Sequence, residues 1–474
     1  MKNYDVIIIG AGIGGLISGC YLAKSRFKVL LIDQHFAPGG YCTSFRRGGY
    51  KFDTSVHYIG GVKKGILSKI LRELEFLDFQ FDQSDPSDKI ILSEAETYIR
   101  ANPYDTMYEF KKTFPKESLS ISSFFKFVMH TSLPNIYRKL SNATFKDFLD
   151  SYFTDERLKT ALGLLLLGNM GMPPSQISAP VSIIFMREFL LDPGYYPRGG
   201  MQEFTNHLVE KFKQLGGELR LSQKATKIIT EKNIAKGVVV YPNTSIKSNF
   251  VVSAADATRT FNEMIDYKTK ESDIVNKLIP SNSVFVVYLG LKTSLKNLLN
   301  ETCNIWYFLD GNLDKSYKSL KDTIRQGRIN MAMISFPSAK DRSLTSSRKD
   351  TVEIFTLATF ETGKFWLKNK NLLSDKLLSL AERAIPNISK HIDLKITATP
   401  HTFYRYTLNR EGASYGWAST IDQVNSSLLP QLTSVRNLFL AGHWSIMGAG
   451  QGGISTVALS GKKVAERIIA LKNT

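Results

Sequence analysis

The glycines near the N terminus have the spacing of a turn that holds the phosphates of a dinucleotide. Gly10, Gly12 and Gly15 form the pattern G-x-G-x-x-G directly after a β-branched run at residues 4–9. An apolar-periodic segment at residues 16–24 predicts a helix, and a second β-branched run at residues 29–32 ends on Asp33. A strand, this glycine turn, a helix, a second strand and an acid about 20 residues further on are typical of a dinucleotide-binding unit.

Each position in this unit has a physical role. Gly10 permits the tight turn, Gly12 lets the backbone approach a pyrophosphate, and Gly15 allows the helix to pack closely on the strand. The helix N terminus presents free N–H groups and the positive end of its dipole to the phosphates. Asp33 accepts hydrogen bonds from ribose hydroxyls. The sequence therefore predicts one dinucleotide site, formed by Gly10, Gly12, Gly14, Gly15 and Asp33.

The segment that follows Asp33 resembles a known family. Gly39-Gly40-Tyr41-Cys42-Thr43 and residues 52–60 (FDTSVHYIG) are similar to the phytoene desaturase, carotenoid isomerase and retinol saturase flavoproteins, most of all to the saturase and isomerase branch. In that family the glycine pair lets the chain pass close to bound FAD. The resemblance implies FAD contacts at Gly39, Gly40, Tyr41 and Thr43, although the wider family often carries Arg where this sequence has Tyr41.

Later segments extend the resemblance over nearly the whole chain. A turn at residues 195–202 leads into a helix predicted to residue 215, and strands are predicted at 237–240 and 250–256. The end of the second strand resembles the family's return to FAD, which implies FAD contacts at Ala255 and Asp256. Residues 334–341 resemble a loop of the family's substrate domain, and residues 398–416 resemble the segment before its last flavin contact.

A second glycine-rich turn lies at residues 448–453. It follows a short strand predicted at residues 437–442 and precedes a helix predicted over residues 454–470. Too few residues follow it for a helix, a second strand and an acid, so we do not expect a second dinucleotide unit. We expect this turn to aim a helix N terminus at the flavin, through Gly442, Gly450, Gln451, Gly453 and Ile454.

Three side chains are candidates for proton transfer. His57 and His443 lie in segments that resemble flavin-proximal parts of the family, where either would donate a hydrogen bond to the isoalloxazine or move a proton. The alternative for each is an imidazole that bonds to a backbone carbonyl. Glu411 would serve as a general acid or base if a hydrophobic cavity raised its pKa, and the alternative is an ion pair with Arg410 or Arg405. No histidine spacing indicates metal ligands, and no metal is predicted.

These motifs predict an α/β fold with two discontinuous domains. A glutathione-reductase-like, FAD-binding Rossmann domain would comprise residues 1–64, 196–258 and 430–474, and a second, α+β substrate domain residues 65–195 and 259–429. The aromatic and leucine stripes of the second domain are either core or, by the resemblance, the wall of a tunnel for a polyene. The basic, serine-rich residues 340–349 predict an exposed loop.

Composition excludes several classes of protein. No run reaches the ~18 apolar residues of a membrane span, no signal-peptide pattern is present, and no nucleic-acid-binding motif occurs. Cys20, Cys42 and Cys303 form no CxxC, which favours a reducing compartment, and we expect a cytoplasmic protein.

The 61 Lys and Arg residues outnumber 43 Asp and Glu, and the resulting charge of +18 suits either a lysine-rich exterior or an anionic membrane surface. Residues 124–127 and 183–191 combine apolar and cationic side chains, which is typical of either peripheral docking on a membrane or buried helices.

The resemblance implies an FAD-dependent oxidoreductase. Its substrate would be a long apolar polyene or isoprenoid such as a carotenoid or retinoid, and it would need an external electron donor or acceptor. Saturation, desaturation and cis–trans isomerisation of carbon–carbon double bonds share this scaffold, and the sequence does not distinguish them. Two alternatives stay open: an amine oxidase-like flavoenzyme, and a non-catalytic flavin- or lipid-binding protein.

Overall fold

The computed structural model describes residues 3–76, 78–308, 310–345, 349–425, 429–445 and 453–472. Its strands are β1 (Asn3–Ile9), β2 (Val29–Ile32), β3 (Ser44–Arg47), β4 (Tyr50–Asp53), β5 (Phe81–Gln83), β6 (Asp88–Ile91), β7 (Glu96–Ile99), β8 (Tyr195–Pro197), β9 (Glu218–Arg220), β10 (Ala225–Glu231), β11 (Ile234–Val240), β12 (Thr244–Ser253), β13 (Ser283–Leu291), β14 (Asn304–Phe308), β15 (Met331–Ser335), β16 (Asp350–Ala358), β17 (Ile392–Ala398) and β18 (Leu438–Leu440).

The helices connect and cover these strands. They are α1 (Ile13–Lys24), α2 (Ile66–Glu73), α3 (Pro103–Thr113), α4 (Ser118–His130), α5 (Leu133–Leu140), α6 (Phe145–Asp150), α7 (Glu156–Met170), α8 (Ala179–Leu191), α9 (Met201–Gln214), α10 (Ala257–Asn262), α11 (Lys270–Lys277), α12 (Leu313–Lys318), α13 (Leu320–Arg325), α14 (Pro337–Lys340), α15 (Gly363–Ala384), α16 (Pro400–Thr407), α17 (Ile421–Asn425) and α18 (Ile454–Lys472). Short 3-10 helices cover Pro115–Glu117, Leu295–Asn297, Arg342–Leu344, Ile388–His391, Arg410–Gly412 and Gly442–Trp444.

The first sheet has the strand order β10-β11-β12-β1-β2-β9, and β18 also pairs with β12. Its β12, β1, β2, β9 and β18 are parallel neighbours, whereas β10, β11 and β12 form an antiparallel meander. The apolar run of β1 contributes side chains to the cores on both faces of the sheet, because side chains alternate along a strand. Val6 and Ile8 join the core under α1, α9 and α18, while Ile7 and Ile9 join the core under α10 and α11.

The second sheet has the strand order β17-β13-β16-β15-β14-β6-β7 and is antiparallel except at the pair β14 and β6. Here too the central strand β13 is buried on both faces. Val286 and Tyr288 pack with the aromatic core of α4, α6, α7 and α8, whereas Phe285 and Val287 pack under α15. The fold therefore combines a Rossmann-like α/β layer with a mixed α+β layer, as the sequence predicts.

The strands of the first sheet all come from the three segments assigned to the dinucleotide-binding domain. The core on one of its faces nevertheless includes Phe261, Val275 and Trp417, which the sequence assigned to the other domain. The domain bounds stay a prediction. Among the residues described, no helix is both long and apolar enough to cross a bilayer.

Two local predictions from the sequence are wrong. Residues 334–341 are not a loop, because they comprise the end of strand β15 and helix α14. The segment that begins at Lys340 is not simply exposed, because the Lys340 ammonium is enclosed and Leu344 is buried. Both errors arise because partners of this segment lie outside it, at His57, at Asn304 on β14 and at Asp350 on β16.

Candidate functional site

A cavity of about 1080 Å³ lies between the two sheets. One end is lined by the glycine turn after β1, by the end of β2 and by the first turn of α18. The other end, here called the apolar chamber, is lined by side chains of α7, α8 and the second sheet: Leu164, Phe185, Phe189, Trp306, Met333 and Phe355. The cavity therefore joins the predicted dinucleotide site to an aromatic, apolar space.

The glycine turn between β1 and α1 has the geometry that its spacing predicts. Gly10 has φ of +105°, which a residue with a side chain rarely adopts. A Cβ atom on Gly15 would lie 2.0 Å from the Gly10 carbonyl oxygen, so only glycine lets α1 start against the turn. A Cβ on Gly12 would meet no protein atom within 4 Å, and the backbone there is open to the cavity.

The glycine pair after β2 lies against this turn. Gly39 donates its N–H to the Ala11 carbonyl at 2.8 Å, and a Cβ on Gly40 would lie 3.5 Å from Gly12 Cα. Thr43 donates its hydroxyl to the Gly40 carbonyl at 3.1 Å, which fixes the turn between them. The two glycine segments thus form one continuous edge of the cavity.

Tyr41 connects this edge to a distant part of the chain. Its phenol donates hydrogen bonds to the carbonyls of Gly412 and Ala413 at 3.2 and 2.9 Å. Burial raises the pKa of Tyr41 to about 12, so the phenol stays neutral. Tyr41 lines the cavity as a neutral donor, whereas an Arg at this position would have brought a charge.

Asp33, at the end of β2, has both carboxylate oxygens directed at backbone N–H groups. Oδ2 accepts from Ala11 at 2.7 Å and Oδ1 accepts from His35 at 2.8 Å. Burial raises the pKa of Asp33, and these two hydrogen bonds act in the opposite direction. Each oxygen has a further lone pair, so the carboxylate can also accept from a ribose hydroxyl.

The end of β12 closes the same side of the cavity. The Ala254 carbonyl lies 3.2 Å from the position of a Cβ on Gly10, and Ala255 lines the cavity. Asp256 is the N-cap of α10, where Oδ1 accepts the N–H groups of Thr258 and Arg259 while Oδ2 accepts that of Arg410. Its carboxylate is therefore committed to the backbone and holds this wall in place.

Helix α18 brings the C-terminal glycine segment to the turn. A Cβ on Gly14 would lie 2.9 Å from the Gly442 backbone, and one on Gly461 would lie 2.2 Å from the Gly14 carbonyl oxygen. Gly442, Gly453 and Ile454 line the cavity at the first turn of α18. The predicted contacts at Gly450 and Gln451 lie outside the described residues.

These residues fit an adenine dinucleotide. The open backbone at Gly12 gives phosphates access to the N terminus of α1, where N–H groups point outward. The acid at position 33 and the glycine pair at 39–40 flank that access. A flavin or nicotinamide dinucleotide suits this cavity, and its reactive ring would face the apolar chamber.

The imidazole of His57 forms part of the chamber wall. Its ring centroid lies 4.6 Å from that of Tyr58, 5.9 Å from Trp306 and 6.3 Å from Phe355. Its Nε2 has no hydrogen-bond partner among the described residues. Burial, reinforced by the positive charge of Lys340, lowers the pKa of His57 to about 3. The ring is therefore neutral and has a nitrogen available to a bound molecule.

Lys340 is a functional candidate that the sequence did not indicate. Its ammonium donates to the His57 carbonyl at 2.7 Å, to Asn304 Oδ1 at 2.7 Å and to Ser335 Oγ at 3.0 Å. It also lies 5.5 Å from the centroid of the Tyr196 ring. Burial lowers the pKa of Lys340 to about 8, although nearby carboxyl groups partly offset the effect.

Buried carboxyl groups surround this ammonium without direct contact. Asp88 accepts the indole N–H of Trp306 at 2.8 Å, and so ties the chamber wall to the same cluster. Glu353 Oε1 accepts the Asp53 N–H at 2.7 Å, while its Oε2 has no partner in the described part of the chain. Burial, together with the adjacent Asp53 carboxylate, raises the pKa of Glu353 well above its usual value. The Lys340 cluster, as the term is used below, comprises Lys340, Asp53, Asp88 and Glu353.

His443 lies on the other side of the cavity, next to the glycine edge. Its ring is 6.1 Å from that of Tyr41 and 5.4 Å from that of Trp444. Burial lowers the pKa of His443 to about 4, so this imidazole is neutral as well. Both histidines that the sequence singled out thus line one cavity.

Glu411 is not part of the site, which corrects the prediction of a general acid or base. Its side chain is 50% exposed and pairs with Arg410 at 3.7 Å, as the alternative expected. Glu411 is absent from the described residues that line the cavity. The 3-10 turn at residues 410–412 points the side chain outward, since Glu411 has φ of +55°.

Glu188 is a cavity-lining acid that the sequence did not indicate. It lies near the end of α8, between Phe185 and Phe189 of the chamber. Its carboxyl lies near the first turns of α2 and α18, at Ile66 and Ser455, and burial raises its pKa. The sequence did not indicate Glu188 because it stands in the apolar run at residues 183–191, where a charged residue is typical of the polar face of a helix.

The apolar side chains of the two segments considered for membrane docking face inward, which favours the alternative of buried helices for them. Phe124 and Phe125 of α4 are 0% and 1% exposed and pack in the aromatic core. On α8, Ile183 is fully buried, and Arg187 is held by the carbonyls of Val128 and Thr131. Both segments are therefore buried helices of the second layer.

The chain is similar to known proteins in sequence and in structure. Residues 8–74 match the family described as "NAD(P)-binding Rossmann-like domain". The chain is 24% identical to the all-trans-retinol 13,14-reductase of Rattus norvegicus, over 96% of this chain and 85% of that protein. It is 26% identical to the chloroplastic prolycopene isomerase of Daucus carota, over 99% of this chain and 80% of that protein.

A solved structure shares the whole fold. The crystal structure of an oxidoreductase from Methanosarcina mazei superposes with a TM-score of 0.72, covering 98% of this chain and 100% of that one at 16% identity. The two-layer α/β architecture is therefore one that known oxidoreductases use.

Proposed function

From the similarity of the chain to the all-trans-retinol 13,14-reductases and the prolycopene isomerases, we propose that it belongs to their family and is an FAD-dependent oxidoreductase acting on carbon–carbon double bonds of a long apolar polyene or isoprenoid. The observation that carries the proposal is one continuous cavity, which runs from an open glycine turn to an aromatic chamber. Such a cavity suits a molecule whose reacting part is apolar, because few polar groups lie in the chamber.

FAD is the dinucleotide that we propose for the site. Gly10, Gly12 and the N terminus of α1 would hold its pyrophosphate, and Asp33 would accept from its ribose. The first turn of α18, at Gly453 and Ile454, would approach the ring system. When bound, FAD supplies the exchange of an electron pair with the substrate, while the protein supplies position, electrostatics and exclusion of water.

The chamber walls would orient the substrate. Phe185, Phe189, Trp306 and Phe355 present flat apolar surfaces that match a conjugated chain. The Trp306 indole is held by Asp88, so this wall is rigid. Saturation, desaturation and isomerisation all require this orientation, and they differ in the external electron donor or acceptor that the enzyme uses.

We propose hydrogen-bonding roles for the two histidines. With the pKa of His57 lowered to about 3 and that of His443 to about 4, both rings are neutral near pH 7. A neutral imidazole offers one donor and one acceptor. His57 would use its unpartnered Nε2 toward the reacting end of the substrate or the ring system, and His443 would act from the glycine edge.

Peripheral attachment to an anionic membrane is part of the proposal, since the substrates of the class live in bilayers. Leu133 opens α5, lines the cavity and is 47% exposed. Lys126, Arg138 and Lys139 lie in the neighbouring α4 and α5. An apolar cavity mouth beside cations suits a membrane surface, at about 1 kcal/mol per cation near anionic lipid.

The experiment that tests the function uses the purified full chain. Reconstitution with FAD should give the visible absorption bands of a bound flavin. Anaerobic mixing of the reduced and the oxidised holoenzyme with a panel of carotenoids and retinoids should then bleach or restore those bands with one substrate class. An absence of flavin binding would overturn the enzyme proposal. Turnover of primary amines but no polyene would favour the amine oxidase-like alternative.

A further inference from the structure

Four carboxyl groups line the cavity within the described residues, and three of them are already engaged. Asp33 accepts two backbone N–H groups, and Asp256 accepts three. Glu263 pairs with Arg259 at 2.6 Å and is half exposed. Glu188 is the fourth, and no Lys, Arg or His forms an ion pair with it in the part of the chain that the structure describes.

Glu188 lies where the two ends of the cavity meet. Its neighbours along α8, Ile184, Phe185 and Phe189, line the apolar chamber. Its Cδ lies 3.8 Å from the position of a Cβ on Gly61, and the same position is 3.3 Å from the Ser455 hydroxyl in the first turn of α18. The carboxyl is therefore close both to the chamber and to the helix N terminus expected at the ring system.

We propose that Glu188 is the catalytic residue that exchanges a proton with the polyene. This inference rests on the proposed function. In saturation, a hydride from a reduced flavin forms a C–H bond at one carbon and the π bond breaks. The Glu188 O–H proton forms the second C–H bond at the adjacent carbon, which leaves a carboxylate that takes a proton from water. Desaturation runs the same exchange backwards, with the carboxylate as base and an oxidised flavin as hydride acceptor.

The surroundings of Glu188 suit a group that must hold and release a proton. Burial is the largest influence and raises its pKa, since the charged form loses water. The nearby Asp192 carboxylate acts in the same direction, whereas the neighbouring Ile66 N–H and Ser455 hydroxyl act against it. A pKa that moves toward neutrality is the condition for an efficient general acid.

The charged groups around Glu188 do not neutralise it. On α8, the Arg187 guanidinium is turned away to the carbonyls of Val128 and Thr131. Asp192 is held by the N–H groups of Lys63 and Lys64 and by the phenol of Tyr195. From the described residues of α2 and α18, Ile66 and Ser455 act on its pKa, and the Ser455 hydroxyl itself donates to the Gly60 carbonyl at 3.2 Å.

A purely structural role would be to stabilise the neighbouring first turn of α2. Glu188→Gln separates the two roles, because the amide keeps the shape and polarity of the side chain but carries no exchangeable acid. Glu94→Gln is the matched control, since Glu94 is an exposed glutamate far from the cavity lining. Glu188→Asp keeps the acid on a shorter side chain and serves if the glutamine variant does not fold.

The first measurement is turnover. We expect Glu188→Gln to bind FAD with the wild-type spectrum and to lose at least about 100-fold in kcat, the typical contribution of general acid catalysis. Glu188→Asp should recover part of the loss, and Glu94→Gln should match the wild type. A Glu188→Gln enzyme within twofold of wild type, with an unchanged pH profile, would overturn the inference.

The second measurement does not depend on turnover. The infrared difference spectrum between wild type and Glu188→Gln, or Glu188→Asp, should contain a carboxylic acid C=O band that titrates with a midpoint above the ordinary glutamate value of 4.5. A midpoint at or below 4.5 would overturn the assignment even in an active enzyme. A wild-type chain that binds no flavin would overturn the proposed function instead, and this catalytic assignment with it.

Discussion

The ammonium of Lys340 donates a hydrogen bond to the carbonyl oxygen of His57 at 2.7 Å, across 283 residues of sequence. The same ammonium binds Asn304 and Ser335, so all of its protons are used by neutral acceptors. It thereby fixes the backbone that carries a chamber imidazole and keeps a positive charge behind it. The positive charge of Lys340 favours the neutral form of His57, and the Lys340 cluster stiffens this wall of the apolar chamber.

Replacement of Lys340 should change how stability depends on pH. The pKa of Lys340 is lowered from 10.5 to about 8, mainly by burial. Between these values the unfolded chain binds more protons than the folded chain, so this group makes stability rise with pH across that window. The free energy of unfolding of wild type minus that of Lys340→Met should increase by up to about 3 kcal/mol between pH 8 and 10.5.

Urea unfolding at a series of pH values measures this difference. Lys376→Met is the control, because Lys376 is exposed on α15 and should leave the slope unchanged. If the free energy of unfolding depended on pH equally in wild type and Lys340→Met, the Lys340 ammonium would be solvated.

His57 should govern stability on the acid side. Burial lowers its pKa from 6.5 to about 3, so between these values the unfolded state binds more protons. The contribution of His57 to the free energy of unfolding is therefore fully present above pH 6.5 and is lost as the pH falls toward 3. His57→Gln should remove this dependence, which is on the order of a few kcal/mol. Thermal unfolding of the apoprotein from pH 4 to 7 measures it, and the exposed His130→Gln should behave as wild type.

Two glycine substitutions in one turn should have opposite consequences. Gly12→Ala places its Cβ in open space at φ of −70°, so folding should be unaffected while FAD affinity falls at least about tenfold, because the methyl group blocks the approach of the pyrophosphate. Gly15→Ala would place its Cβ 2.0 Å from the Gly10 carbonyl oxygen and should lower the melting temperature instead. Scanning calorimetry and flavin fluorescence titration separate the two effects. Wild-type affinity in Gly12→Ala would argue against the proposed pyrophosphate position.

Substitutions at Phe125 and Leu133 should distinguish an effect on folding from an effect on membrane attachment. Phe125→Ala removes a buried ring from the aromatic core and should cost about 3–5 kcal/mol of stability. Leu133→Ser changes an exposed residue at the cavity mouth and should leave stability within about 0.5 kcal/mol while it weakens flotation with anionic liposomes. Flotation of wild type that is independent of anionic lipid would contradict attachment by this surface.

The glycine edge of the cavity was predictable because the residues that form it lie close together in the sequence. The spacing of Gly10, Gly12 and Gly15 and the acid at position 33 lie within one strand–helix–strand unit, whose geometry follows from a few glycines. The pairing of β18 with β12 was not predicted, since it joins distant segments, whereas the glycine-rich turn before α18 indicated the return of that helix to the cofactor site.

The chemistry around the chamber was not predictable in the same way. Lys340 stands in a basic, serine-rich stretch that is typical of a surface loop, and its burial depends on β15, Asn304 and the backbone at His57. Glu188 looked like the polar face of an amphipathic helix. In both cases the tertiary neighbours decide whether the charge meets water or protein, and no local pattern encodes them.

The contact of α18 with α1 has a consequence for the order of events during synthesis. The glycine turn at residues 10–15 leaves the ribosome early, but Gly442, Gly453 and Gly461, which complete its far wall, are made after both sheets. A cofactor that binds the early turn alone would lack most of its enclosure. We therefore expect loading of the cofactor to be coupled to the docking of a late helix, since a nascent chain that stalls before residue 438 lacks that wall of the cleft.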